Sequence, residues 1–166
     1  MGPPGWCDMS EEFTHLDERG AARMVDVSAK DITVRTATAT GRVLVSSEVI
    51  ALLRGGGIPK GDALAVARIA GIQAAKRTPD LVPLCHPLAI HGVTVDLGVA
   101  DDHVTIQATV RTADRTGVEM EALTCVSVAA LALIDMVKAV DPAAVITDVK
   151  LVEKTGGRRG HWVRPA

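Results

Sequence analysis

Aromatic side chains are almost absent from this chain, which has two Trp, one Phe and no Tyr in 166 residues. Trp6, Phe13 and Trp162 all lie near the ends, so the core must be built from Val, Ile, Leu and Ala. Ala-rich helices of that kind allow close backbone approach and tight packing. The same shortage removes the stacking platforms used by single-stranded nucleic acids. An excess of one charge is also missing. Eighteen basic and 20 acidic residues give a net charge of -2 and a pI near 6.2, which is not the footprint of a nucleic-acid binder. Cys7, Cys85 and Cys125 are odd in number and form no C-x-x-C, which argues against a disulfide framework or a zinc clasp. No metal-ligand spacing, signal peptide or 18-residue apolar run stands out, so the expectation is a cytoplasmic protein with no membrane partner. Lysine is scarce as well, with Lys30, Lys60, Lys76, Lys138, Lys150 and Lys154 as the full set. Lys is the basic residue whose pKa can be tuned for proton transfer; Arg is not.

What is present is most informative from Thr116 to Ala139. This stretch reads as a helix, apolar from Ala122 to Ile134 except for Thr124, Cys125 and Ser127. A helix apolar on nearly all sides is a buried one, and charges at its ends are costly unless paired or used. Glu119 and Glu121 stand at one end, Asp135 and Lys138 at the other. Asp135 and Lys138, three apart, share a face. Glu121 and Asp135, two heptads apart, lie on nearly the same side but about 21 Å apart along the axis. One small substrate cannot touch both ends of such a helix. If both ends serve one reaction, the site must draw on two copies of the chain.

The length fits a single domain that buries about 70% of its unfolded surface. Residues 1–22 read as a flexible N-terminal tail, 23–157 as the domain and 158–166 as a flexible C-terminal tail. Met24–Val27 and Thr33–Val45 read as strands. Ser46 or Ser47 caps a short helix ended by Gly55-Gly56-Gly57, and Asp62 precedes a second helix from Ala63 to about Lys76. Pro79, Pro83 and Pro87 punctuate the next segment and push Val82 and His86 to extended backbone. Two alternating runs, Val93–Val99 and His103–Thr112, flank a turn at Asp101-Asp102. The long helix follows, then a strand over Val145–Val152. Helices segregated from a mainly antiparallel sheet make an α+β domain, and ferredoxin-like topology with the helices on one face is the leading expectation.

Several segments could carry chemistry. Leu84-Cys85-His86 sits in proline-stiffened backbone whose amides and carbonyls suit the edge of a heterocycle. His86 could donate to a phosphate or shuttle a proton, against the plainer role of a structural His beside a buried thiol. Gly55-Gly-Gly-Ile-Pro-Lys60-Gly-Asp62 has the wrong order for a phosphate-binding P-loop, though Lys60 could still help hold an anion. Thr116-Gly-Val-Glu119 fits a capping box, which would make Glu119 structural. Glu121 has no such role and could accept hydrogen bonds from an amino-pyrimidinone. Asp135 with Lys138 is either a surface ion pair worth under about 1 kcal/mol or an acid/base pair in a cleft. Lys154 before Gly156-Gly157 looks like a flexible anion clamp, with a solvated tail as the alternative.

Taken together and in this order, Met24-Val-Asp-Val-Ser28, Lys60-Gly-Asp62, Ala70-Gly-Ile-Gln-Ala-Ala-Lys76, Leu84-Cys-His-Pro-Leu88, Thr116-Gly-Val-Glu-Met-Glu-Ala-Leu123, Asp135-Met-Val-Lys138 and Lys154-Thr-Gly-Gly157 closely resemble the MoaC family, the cyclic pyranopterin monophosphate synthases of molybdenum cofactor biosynthesis. The resemblance implies a ferredoxin-like lyase that converts 3',8-cyclo-7,8-dihydroguanosine triphosphate to cyclic pyranopterin monophosphate and pyrophosphate. It also implies a homohexamer, a trimer of dimers, with active sites at subunit interfaces. By motif, Asp135 would be the central acid/base residue, assisted by Lys60 and Lys138. His86 and the backbone of Leu84 and Cys85 would bind substrate. Met120 and Glu121 would hold the ring with Glu119 nearby, and Lys76 and Lys154 would meet the triphosphate. No cofactor is implied, and any Mg²⁺ would arrive with the triphosphate. The pattern often has Tyr immediately before the Asp; this chain has Ile134 there. The rival reading is a non-catalytic domain that senses a guanine nucleotide.

Overall fold

The computed structural model describes residues 16–17, 19–158 and 160–165. Most of the expected N-terminal tail, with Trp6, Cys7 and Phe13, lies outside the described residues. In the remainder of that stretch, Leu16 bridges Ala22 across a turn held by the Asp17 carboxylate.

Five strands and four helices follow in the order β1 (Thr33–Leu44), α1 (Ser47–Gly55), α2 (Ala63–Ala75), α3 (Thr78–Leu81), β2 (Gly92–Val99), β3 (His103–Asp114), α4 (Glu119–Val137), β4 (Val145–Thr155) and β5 (Trp162–Val163). The sheet order is β2-β3-β1-β4-β5 and every pairing is antiparallel. Without β5 this is two interleaved β-α-β units, the ferredoxin-like arrangement expected from the sequence.

Alternation sets the two faces of the sheet. Ala37, Ala39, Gly41 and Val43 of β1 and Val104, Ile106, Ala108 and Val110 of β3 are buried, while Thr38, Thr40 and Arg42 of β1 and Thr105, Gln107 and Thr109 of β3 lie on the open face. Helix α4 packs on β1, β3 and β4, and α2 packs beside it on β2. Lys60 meets Asp135 while Gly71 meets Cys125 and Ala129, so α2 and α4 run antiparallel. The close packing expected of an Ala-rich core is visible at Gly71, where a Cβ would approach the Cys125 carbonyl to 2.9 Å. Gly41 does the same work between sheet and helix, since a Cβ there would lie 2.7 Å from Val126. By length and composition α4 could cross a membrane, but it is the central helix of this domain and its Ala122, Cys125, Val126, Ala129 and Leu133 are fully buried.

Several local expectations hold. The Ser46 side chain caps α1, Gly56 ends it in the left-handed region at φ 70, and Asp62 Oδ1 accepts from the Ala65 amide at 2.9 Å to start α2. Three do not. Met24–Val27 is not a strand. Thr78–Leu81 forms a helical turn although Thr78 precedes a proline; the buried Thr78 hydroxyl donates to the Ala74 and Ala75 carbonyls and holds the turn against the end of α2. Beyond it Val82 is extended as expected, and the Cys85 amide donates to the Val82 carbonyl at 3.0 Å to close a turn over 82–85. Finally, β4 runs on to Thr155, and Trp162–Val163, placed in a tail by the sequence reading, pairs with Glu153 and Lys154.

Candidate active site

The first turn of α4 carries Glu119, Met120 and Glu121. The capping box expected there does not form: Val118 is the N-cap, and no side chain caps the helix. Glu119 instead accepts a 2.7 Å hydrogen bond from Lys154 Nζ. A β-bulge makes that pair possible. The β1–β4 register shifts between Thr38 and Ala39, where Val152 is passed over. Lys150 opposes Thr40 on the open face, and without the shift Lys154 would share that face. With it, Lys154 opposes the buried Ala37 and reaches under the sheet to α4.

Glu121 is 3% exposed, and among the described residues no cation pairs with it. Burial pushes its pKa up to about 7, with a smaller push from the Glu119 charge and an opposing pull from a backbone hydrogen bond. The carboxyl therefore holds its proton in the folded chain where the unfolded chain has lost it. Stability should fall as pH rises from about 4.5 to about 7, by up to roughly 3 kcal/mol. Urea unfolding at pH 5 and pH 8 checks this: Glu121→Gln should lose less stability over that interval than the parent, by up to that amount, and equal losses would refute the assignment.

Glu119, Met120 and Glu121 form one wall of a cavity of about 490 Å³ whose opposite wall is the 82–86 turn with Leu84, Cys85 and His86. Val25 and Val27 line it too, and His86 holds that segment: its ring Nε2–H donates to the Val25 carbonyl at 2.6 Å. Among the described residues Nδ1 has no hydrogen-bond partner and can meet a ligand. Burial, and the nearby Glu121 charge, raise the Cys85 thiol pKa, so it stays neutral.

A second cavity of about 590 Å³ adjoins the first, sharing Lys30, Gly117 and Glu119. Lys30, Arg35, Lys154 and Arg158 give it a basic wall. Gly156 and Gly157 complete it in the left-handed region, φ 92 and 75; a Cβ at Gly156 would collide with the Val34 carbonyl and one at Gly157 with the Arg35 guanidinium. Arg35 and Lys30 were not singled out from sequence. One signal was available for Arg35: it falls in phase with Ala37, Ala39 and Val43, an Arg on the buried register of a strand. Its Nε is buried and has no hydrogen-bond partner among the described residues.

The other predicted residues lie elsewhere. Asp135 Oδ1 meets Lys138 Nζ at 2.7 Å and Oδ2 meets Lys60 Nζ at 3.3 Å, and Lys60 also donates to the Asp135 carbonyl at 2.7 Å. The Lys138 and then the Lys60 ammonium hold the Asp135 carboxyl below the usual carboxylate range. In the single chain this trio is an exposed cluster and not the cleft expected of it; the Asp135 side chain is 59% exposed. It lies about 24 Å along α4 from Glu119. Lys76, the C-cap of α2, is exposed and borders neither large cavity. Among the described residues no group of three or more His, Cys, Asp or Glu could hold a metal. One chain thus carries two separate polar clusters, a buried carboxylate with a basic wall at one end of α4 and a carboxylate between two ammonium groups at the other.

The MoaC family model matches residues 24–157, which takes in both clusters. The chain belongs to the MoaC family. A protein of Streptomyces avermitilis called cyclic pyranopterin monophosphate synthase is 70% identical over 163 residues, covering 98% of this chain and 94% of the relative. Proteins of the same name from Streptomyces coelicolor and a Nocardioides species are 70% identical over 157 residues and 68% over 161. Each of these covers 95% of this chain, with 92% and 99% of the relatives covered in turn. The MoaC match includes Lys30, Arg35 and Lys154 and stops before Arg158.

Proposed function

We propose that this chain is a lyase that converts 3',8-cyclo-7,8-dihydroguanosine triphosphate to cyclic pyranopterin monophosphate, releasing pyrophosphate; the product is the one that its relatives are named for. The observation that carries the reading is the adjoining pair of cavities at the start of α4. One has a buried carboxylate for a ring with N–H donors; the other has cations for a triphosphate. Glu121 accepts from the amino-pyrimidinone edge, with Met120 against the ring and His86 and the Leu84–Cys85 backbone around it. Lys154, Lys30 and Arg35 take the phosphates. An anion arriving at Lys154 competes with Glu119, so the resting ion pair holds the ammonium in place until substrate enters.

Ring opening and re-closure need proton transfers, and attack of a ribose hydroxyl on the α-phosphorus needs a base. Asp135 is the base, and Lys60 and Lys138 steady the developing charge and the departing pyrophosphate. The lysines weaken Asp135 as a base at rest; a polyphosphate that draws them away raises its proton affinity.

The two half-sites meet when two copies of the chain pack together, as in a homohexamer built from dimers. The α2/α4 surface beside Asp135 supports this, since Val66, Ile69 and Leu131 are exposed there. A nucleotide-sensing module would have no use for a carboxylate held between two lysines. Incubation with the cyclised triphosphate should yield the pterin product and pyrophosphate in equal amounts, and release of neither would refute the assignment.

A further inference from the structure

We infer that Arg115 is a positioning residue for the basic wall, its side chain fixing the backbone at Lys30 before a ligand arrives. This rests on the reading of that wall as a triphosphate cradle. Arg115 lies on the connector between β3 and α4, held by its own amide, which donates to Asp114 Oδ1 at 2.7 Å. Its Nε donates to the Lys30 carbonyl at 3.0 Å, and its carbonyl accepts from Arg35 Nη2 at 3.3 Å. Arg115 therefore meets two parts of the wall, the loop before β1 through its side chain and a guanidinium on β1 through its main chain. Arg115 itself lines neither large cavity. A loop that carries a binding side chain loses freedom when a ligand is held, and ordering it beforehand removes part of that cost from the binding step.

Losing one hydrogen bond to a charged donor is worth about tenfold in an equilibrium constant. The full chain is titrated calorimetrically with inorganic triphosphate at about 0.15 M salt, where a charge not touching the ligand is largely screened. Arg115→Met should bind about tenfold more weakly than the parent and Arg115→Lys should recover most of the loss. In turnover, KM should rise about tenfold with kcat within about twofold. The melting temperature should be unchanged. Arg115→Gln, polar but shorter, gives the same comparison should the Met form fail to fold. Equal affinity in parent and variants would overturn the positioning role and leave the cradle standing. A parallel loss of kcat, affinity and melting temperature would mark a structural role and overturn it too. A parent that binds no triphosphate would overturn the cradle and this inference with it.

Discussion

Asp135→Asn is expected to lower the rate of pyrophosphate release by about 10²–10⁴-fold, the range that a positioned general acid/base supplies. The amide fills the same space and can still receive a hydrogen bond from Lys138 or Lys60, but it cannot take a proton. Triphosphate binding should survive, because Lys30, Arg35 and Lys154 are untouched and the substitution removes no cation. The contrast is the informative part: a purely nucleotide-binding domain would show neither the activity nor its loss. Pyrophosphate release and a calorimetric titration on the same preparation check it. Undiminished turnover by the variant would remove Asp135 from the chemistry.

The second large effect is recovery. Chains carrying Asp135→Asn and chains carrying Glu121→Gln, each strongly impaired alone, should regain about a quarter of parental turnover when mixed in equal amounts and allowed to exchange subunits. In a symmetric dimer with two shared sites, half of the pairs are mixed, and each mixed pair has one intact site. Lys60 and Asp135 behave differently, because they are partners within one chain. Lys60→Ala mixed with Asp135→Ala should recover little, since both variants damage the same half-site. No recovery from the first mixture would mean that one chain holds the whole site, against the distance along α4.

Much of the fold was legible because its cues are local. The alternation of Val104, Ile106, Ala108 and Val110 marks a half-buried strand, and Asp62 and Gly56 mark helix ends by chemistry that needs no distant partner. The site was legible in part. Glu121, His86 and Asp135 drew attention as polar groups in apolar or stiffened surroundings, and the MoaC motifs gave them roles. Glu119 misled, because Thr116-Gly-Val-Glu119 satisfies the spacing of a capping box while the helix starts too late to use it. Its actual partner, Lys154, is fixed by a register shift in a different strand. Trp162–Val163 looked like tail because two residues carry no period; pairing with the edge of β4 makes them a strand.

By itself the sequence determined the types of the long elements, the apolar character of α4 and the separation of its charged ends, because periodicity and helix rise are properties of the chain alone. Only the tertiary structure decided which charges meet. Lys60 reaches Asp135 because α2 and α4 run antiparallel, Lys154 reaches Glu119 because one bulge turns it to the helix face, and Arg35 joins Lys30 through Arg115. Each contact joins residues far apart in sequence, and such distances follow from how strands are registered and helices crossed, which no local pattern encodes.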